Sequence, residues 1–241
     1  MISILTVNRN CLDFMKLLVA SVRKFTHFPY EIILVDNKSE DGSVEWILKE
    51  QKEAKDIRAF ILNKNIGHGA GLDFALRQAE RRFCLVLDID AHIQRKEWDF
   101  DLIELYIAKK KRKLICAGGD GLKPIHPCFM FFEREFFLDM GLSFVPREGF
   151  DVGRKIYFDL LSEGWEILRI PPGYEPDGKK FYGDVWGDNY YIMGKPTLYH
   201  NWYSARMWKK DKVDNLTRTE FERRKKILFE QPLVKEILDK R

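Results

Sequence analysis

FCLVLDID, residues 83–90, is the stretch on which the fold turns. Five consecutive apolar residues, Phe83 to Leu87, are too few for a helix and show no polar alternation. Such a run reads as a strand buried on both faces, as in a parallel sheet covered by helices. It stops on two acids, Asp88 and Asp90, with one residue between them. In an open parallel sheet, ligands gather in the crevice beyond the carboxyl ends of the strands, so acids placed there face a ligand and not the core.

The same pattern extends outward. Upstream, EIILV (residues 31–35) is a second continuous run, and it too ends on an acid, Asp36. Residues 2–7 give a first strand and residues 58–62 a weaker one. Between them, Met15, Leu18, Val19 and Val22 recur at helical spacing, residues 43–51 read as a helix with Ser43 as its cap, and residues 69–81 as another. Downstream, a helix is expected over 99–111, strands over 114–117 and 128–132, a helix over 153–164 ending at its glycine, and a strand over 166–170. Residues 172–196, rich in Gly, Tyr and Asp, have no period and suit a long functional loop or lid. Residues 217–239 are helical with a break at Pro232. Strands alternating with helices predict an α/β protein with a mostly parallel central sheet flanked by helices.

Composition narrows the function. At 241 residues with 45% apolar content, one substantial domain is expected. The net charge of +4 is too small to argue for nucleic acid as a partner. Two basic runs, residues 109–113 and 223–226, read as solvated helix faces, with an anionic membrane surface or a phosphate-bearing acceptor as the sharper option for the second. Cys11, Cys84, Cys116 and Cys128 lack any paired spacing and suit buried, reduced thiols in a cytoplasmic protein. No signal peptide and no membrane-spanning stretch is evident.

The acids carry the chemistry. Two residues apart in an extended segment, Asp88 and Asp90 would point to one face. Like charges so close repel, and a divalent cation such as Mg²⁺ or Mn²⁺ removes the conflict while holding a diphosphate. Asn63, Asn65 and Gly67 open NKNIGHGAG, whose glycines would let backbone approach an anion at a helix start; a tight turn without a ligand would look the same.

In order, TVNR (6–9), VDNKSEDGS (35–43), NKNIGHGAG (63–71), LVLDID (85–90) and YHNWYSAR (199–206) resemble the family 2 type glycosyltransferases of GT-A fold, especially the rhamnosyltransferase-like branch. The resemblance spans residues 1–206, leaving 207–241 as a C-terminal helical extension packed on that domain. It implies that Thr6, Asn8 and Asp36 line a nucleotide base pocket, and that Asn65 and Gly67 run along the nucleotide. Asp88 and Asp90 would hold Mn²⁺ or Mg²⁺ and the donor diphosphate, with His200 as a further metal ligand and Arg206 on the diphosphate. The chain departs from the family in two places. Asp73 stands where Asn is frequent, and the usual Glu-Asp base signature is replaced by Arg147-Glu148-Gly149-Phe150-Asp151. Asp151, at the start of a helix, is the expected base, with Glu148 second; a plain helix cap is the competing role.

The expected function is therefore metal-dependent transfer of a sugar, with inversion, from a nucleoside-diphosphate sugar to a hydroxyl of a glycan, lipid-linked or protein acceptor. The expected setting is cytoplasmic, with peripheral membrane contact through the C-terminal helix as an option. A nucleotide-sugar-binding module without catalysis is the alternative. A sugar-nucleotidyltransferase would need a glycine-rich basic loop after the first strand, which TVNRNCLDF lacks.

Overall fold

A computed structural model describes residues 1–118, 126–147, 152–175, 177, 180–183, 185, 187–201, 204, 206–207 and 210–239, apart from the side chain of His126. Strand β1 (Ile2–Asn8) leads into helix α1 (Leu12–Phe25), β2 (Tyr30–Asp36) into α2 (Ser43–Glu53), and β3 (Ile57–Ile61) into α3 (His68–Gln78). Next come β4 (Phe83–Leu87), the short β5 (Ala91–Ile93), α4 (Trp98–Ile107), β6 (Arg112–Ala117) and β7 (His126–Glu133). They are followed by α5 (Arg134–Asp139), α6 (Arg154–Ser162), β8 (Glu166–Ile170) and β9 (Pro172–Gly173). Then follow β10 (Gly187–Ile192), β11 (Lys195–Asn201), a hairpin of β12 (Lys212–Val213) and β13 (Leu216–Thr217), and helices α7 (Arg218–Glu230) and α8 (Pro232–Leu238).

Seven strands form the central sheet in the order β3-β2-β1-β4-β7-β6-β8. It is parallel except for β7, which runs antiparallel to both neighbours. The expected mostly parallel sheet is thus present. Alternate residues of each strand serve two cores. Ile2, Ile4, Ile32, Leu34, Leu85 and Leu87 face α1, α4, α7 and α8. Leu5, Val7, Ile33, Val35, Cys84 and Val86 face α3, α5 and α6. Burial on both faces is why these strands carry unbroken apolar runs.

Helix α1 buries Phe14, Met15, Leu18, Val19 and Val22, and its first N–H group, on Leu12, is satisfied by Asp41 at 2.9 Å. The expected cap of α2 is corrected: Gly42, with φ +87°, occupies that position, and Ser43 bonds Asp41 instead. Thr217 caps α7 by accepting the N–H of Glu220, and Pro232 opens α8, as a proline can where no intrahelical N–H is needed. Phe221, Leu228, Val234 and Ile237 join the α1 core, with Phe14 and Phe229 rings 5.6 Å apart. The basic run on α7 is engaged internally: Arg223 and Arg224 with Glu220, Lys225 with Asp13, and Lys226 with Glu230. No helix among the described residues is long and apolar enough to cross a membrane.

The expectation of a long loop over 172–196 needs correction. A second sheet, β5-β11-β10-β9, takes up much of it, so the irregular stretch is shorter. Within that stretch Tyr182 and Val185 are buried, whereas Tyr174 is exposed.

Candidate active site

The site is built where β4 leaves the central sheet. The chain does not stay extended after Leu87, as the sequence suggests; it turns. The Ala91 N–H bonds the Asp88 carbonyl at 2.9 Å, and β5 starts there. β5 pairs with β11, setting His200 opposite Ala91, while the Asn201 N–H reaches the Asp90 carbonyl at 2.9 Å. This ladder delivers a histidine from more than a hundred residues away. His200 Nε2 lies 3.5 Å from Asp88 Oδ2 and 3.3 Å from Asp90 Oδ1. Both acids therefore converge on one point, through the turn and not through strand alternation.

Electrostatics tie the group together. Burial would raise the Asp88 carboxyl, but His200 and then His68 outweigh it and hold it well below the ordinary carboxylate range. Burial would lower His200, yet the Cys128 sulfur and the carboxylates of Asp90 and Asp88 push it well above its usual value. An imidazole set between a half-buried and a buried acid marks a place that favours positive charge. Ligand atoms of Asp88, Asp90 and His200 lie within 4.8 Å of one another, with Asp90 and His200 only 8% and 4% exposed. Two carboxylates and an imidazole suit Mn²⁺ well and Mg²⁺ through the oxygens. The donor set fits a divalent cation.

The three residues expected at the base pocket lie beneath the surface. Asn8 and Asp36 are in register on β1 and β2. The Asn8 amide donates to Asp36 Oδ2 at 2.8 Å and to Ser39 Oγ at 3.0 Å, and Asp36 Oδ1 accepts the Ser39 N–H at 2.9 Å. Thr6, Asn8 and Asp36 have no exposure at all. Asn8 and Asp36, bonded to each other and to Ser39, lie with Thr6 beneath the segment that follows β2.

The loop before α3 is held by Asn37, whose side chain accepts the Ile66 N–H at 2.8 Å and donates to the Gly67 carbonyl at 3.1 Å. Asn65 accepts the Gly67 N–H at 2.9 Å, and Gly67 has φ +89° with open space where a Cβ would stand. The other two glycines serve packing instead. A Cβ on Gly69 would fall 2.2 Å from the Phe144 carbonyl oxygen, and one on Gly71 would meet Val7 at 3.0 Å. Asp73, the departure from the family pattern, accepts from Ser143 Oγ at 2.5 Å and from the Phe144 N–H at 2.8 Å. It fixes the segment that runs toward residues 148–151. Glu148 and Asp151 themselves lie outside the described residues.

Arg206 is exposed and has Asp214 at 3.9 Å. His92 sits on the face of the second sheet opposite to His200. It is fully buried against Tyr182 (Nε2 to hydroxyl 2.9 Å), and burial pushes it down to about 3. It anchors the irregular stretch and does not reach the acids. Sequence reasoning missed His68, whose Nε2 is 3.2 Å from Asp88 Oδ1; its position at the start of α3, just after Gly67, was the available signal. Ser204, whose N–H donates to Asp90 Oδ2 at 3.3 Å, also lines a cleft of about 220 Å³ with Asn10, Cys11, Asp41 and Arg218.

Comparison with known proteins agrees with this layout. Residues 3–120 match the model of the family described as glycosyl transferase family 2. A dolichyl-phosphate β-glucosyltransferase of Dictyostelium discoideum is 29% identical over 115 residues, 46% of this chain and 35% of that protein. A protein described as a teichuronic acid biosynthesis glycosyltransferase, TuaG of Bacillus subtilis (strain 168), is 29% identical over 104 residues, 43% of this chain and 39% of its own length. The matched part thus spans well under half of either relative. In fold, the chain resembles the mannosyltransferase PcManGT of Pyrobaculum calidifontis, solved with GDP-Man and Mn²⁺. The TM-score is 0.61 at 15% identity, covering 70% of this chain and 54% of that one. Over residues 3–120, the stretch that holds β1 to β6 and the strand-end acids, the chain is similar to glycosyl transferase family 2.

Proposed function

We propose that this protein transfers a sugar from a nucleoside-diphosphate sugar to an acceptor hydroxyl, with inversion. The observation that carries this reading is the convergence of Asp88, Asp90 and His200 within 4.8 Å at the carboxyl end of β4. These residues would hold Mn²⁺ or Mg²⁺, which when bound supplies positive charge that stabilises the departing diphosphate. The solved mannosyltransferase of like fold contains Mn²⁺ and a sugar nucleotide, which supports the choice.

The chain's own groups divide the remaining work. Asn65 and Gly67 are exposed in the loop before α3 and would lie along the nucleotide, while Thr6, Asn8 and Asp36 would shape the pocket from below. Arg206 would swing to the diphosphate as a planar fork. Asp151, or Glu148 in its place, would accept the proton of the acceptor hydroxyl as that oxygen bonds the anomeric carbon. The carbon's bond to the diphosphate oxygen breaks, and its electron pair leaves with the nucleoside diphosphate. Residues 207–241 would extend a GT-A unit of residues 1–206. The acceptor class is a glycan, a lipid-linked sugar carrier or a protein; the Dictyostelium relative, by name a dolichyl-phosphate enzyme, favours the lipid-linked one. Membership of the rhamnosyltransferase-like branch rests on motif order alone.

The test is a panel of UDP-, GDP- and dTDP-sugars with Mn²⁺, scoring hydrolysis and transfer. Mn²⁺-dependent consumption of one donor is expected, and it should cease in chelator. Tight binding of a sugar nucleotide with no consumption would favour a binding module instead.

A further inference from the structure

The two acids of the site are held in parallel ways. Asp90 turns Oδ1 toward His200 Nε2 (3.3 Å), and its Oδ2 accepts the Ser204 N–H (3.3 Å). Asp88 turns Oδ2 toward the same nitrogen (3.5 Å), and its Oδ1 lies 3.2 Å from His68 Nε2. Each carboxylate thus gives one oxygen to the shared point and the other to an outer partner. For Asp90 that partner is backbone. For Asp88 it is the side chain of His68, which stands within the 63–71 motif but to which the resemblance assigns no role.

The place of His68 is tightly fixed. Asn37 holds the loop before it through Ile66 and Gly67, and Gly67 turns the chain with a positive φ. One residue later, Gly69 seats the helix directly on the Phe144 carbonyl, and Gly71 seats it on Val7. The ring, 37% exposed, reaches from the start of α3 to Asp88. The contact is one of charge and close approach: at 3.2 Å the two buried atoms face each other.

We infer that His68 is a positioning residue: it holds Oδ1 of Asp88 so that Oδ2 faces the ion, an inference that rests on the metal reading of the Asp88–Asp90–His200 group. Outer contacts of this kind orient metal ligands, and losing one costs about 10- to 100-fold in metal affinity. His68 lies outside the three-residue ligand group itself, so its loss should weaken the site without abolishing it.

The experiment titrates Mn²⁺, with and without UDP or GDP, against the wild type and variants, counting free Mn²⁺ by electron paramagnetic resonance. H68A is expected to bind about tenfold more weakly, with its melting temperature nearly unchanged. H68Q, which keeps a donor, should recover most of the affinity. H27A, which alters an exposed ring tilted against Phe100 near the amino end of β2, should match the wild type. Turnover of H68A should fall at low Mn²⁺ and return at saturating Mn²⁺. Wild-type affinity in H68A, or in H68F should H68A fail to fold, overturns the role of His68. Absence of any Mn²⁺ site in the wild type would instead remove the metal reading beneath it.

Discussion

The two ends of the central strands treat their buried acids in opposite ways. At the amino ends, Glu31 accepts from Ser3 Oγ at 2.6 Å, the Glu80 N–H at 2.8 Å and Arg58 at 2.9 Å. Every partner is a donor, and the second acid there, Glu80, shares Arg58 at 3.0 Å from a solvent-exposed position. At the carboxyl ends, Asp88 and Asp90 share one histidine nitrogen, and the buried oxygens Thr6 Oγ1 and Asn8 Oδ1 have no hydrogen bond. A saturated acid contributes to stability. A crowded pair costs stability unless a cation joins it, which is the signature of a group kept for chemistry.

That contrast can be broken by mutation. D88N or D90N should lower Mn²⁺-dependent turnover by roughly 10²- to 10³-fold or more, the scale expected when transition-state charge loses its partner. Their melting temperatures should move little, because relieved repulsion offsets the lost contact with His200. Unchanged turnover in both variants would refute the assignment of function to this end. At the other end the effects should swap. E31A strands Ser3, the Glu80 N–H and Arg58, and should cost about 2 kcal/mol of stability, discounted because Arg58 is one-third exposed. Mn²⁺ affinity should be untouched, as checked by urea unfolding beside the same Mn²⁺ titration.

A pH series sharpens the same comparison. Burial alone would raise Glu31, but Ser3, the Glu80 N–H and Arg58 hold it below its ordinary value. A folded value below the unfolded one, about 4.3, gives stability that is full above that pH and is lost as pH falls through the folded value. The gap between wild type and E31Q should therefore be open at pH 7 and close in acid. The smallest effect is expected at the back of the second sheet. Y182F removes the hydroxyl that meets His92 and should cost about 1 kcal/mol. It should also increase protease cleavage within residues 174–187, and unchanged cleavage would show that Tyr182 is not the anchor.

Some of this was legible in the residues. FCLVL and EIILV announced buried strands because strands covered on both faces need no polar alternation, and Asp36, Asp88 and Asp90 were found by standing at their carboxyl ends. Other parts were not. Strand β10, GDNYYI, carries no strong apolar run, since its pairing with β11 and the packing of Tyr190 do the work. The glycines after Gly67 look like a ligand cradle in sequence and prove to be seats on Phe144 and Val7. Asp73 gives no sign, read along the chain, that it will pin Ser143.

The sheet's apolar strands, the acids at their ends and the order of motifs shared with the family are local patterns written in consecutive residues, and reading along the chain is enough to find them. Folding in three dimensions adds that Asp88 and Asp90 meet through a turn, that His200 arrives by pairing with β5, that His68 approaches Asp88, and that Thr6, Asn8 and Asp36 lie below the surface. Those outcomes depend on strand register and helix seating between segments far apart in the chain, and no local pattern encodes a distance.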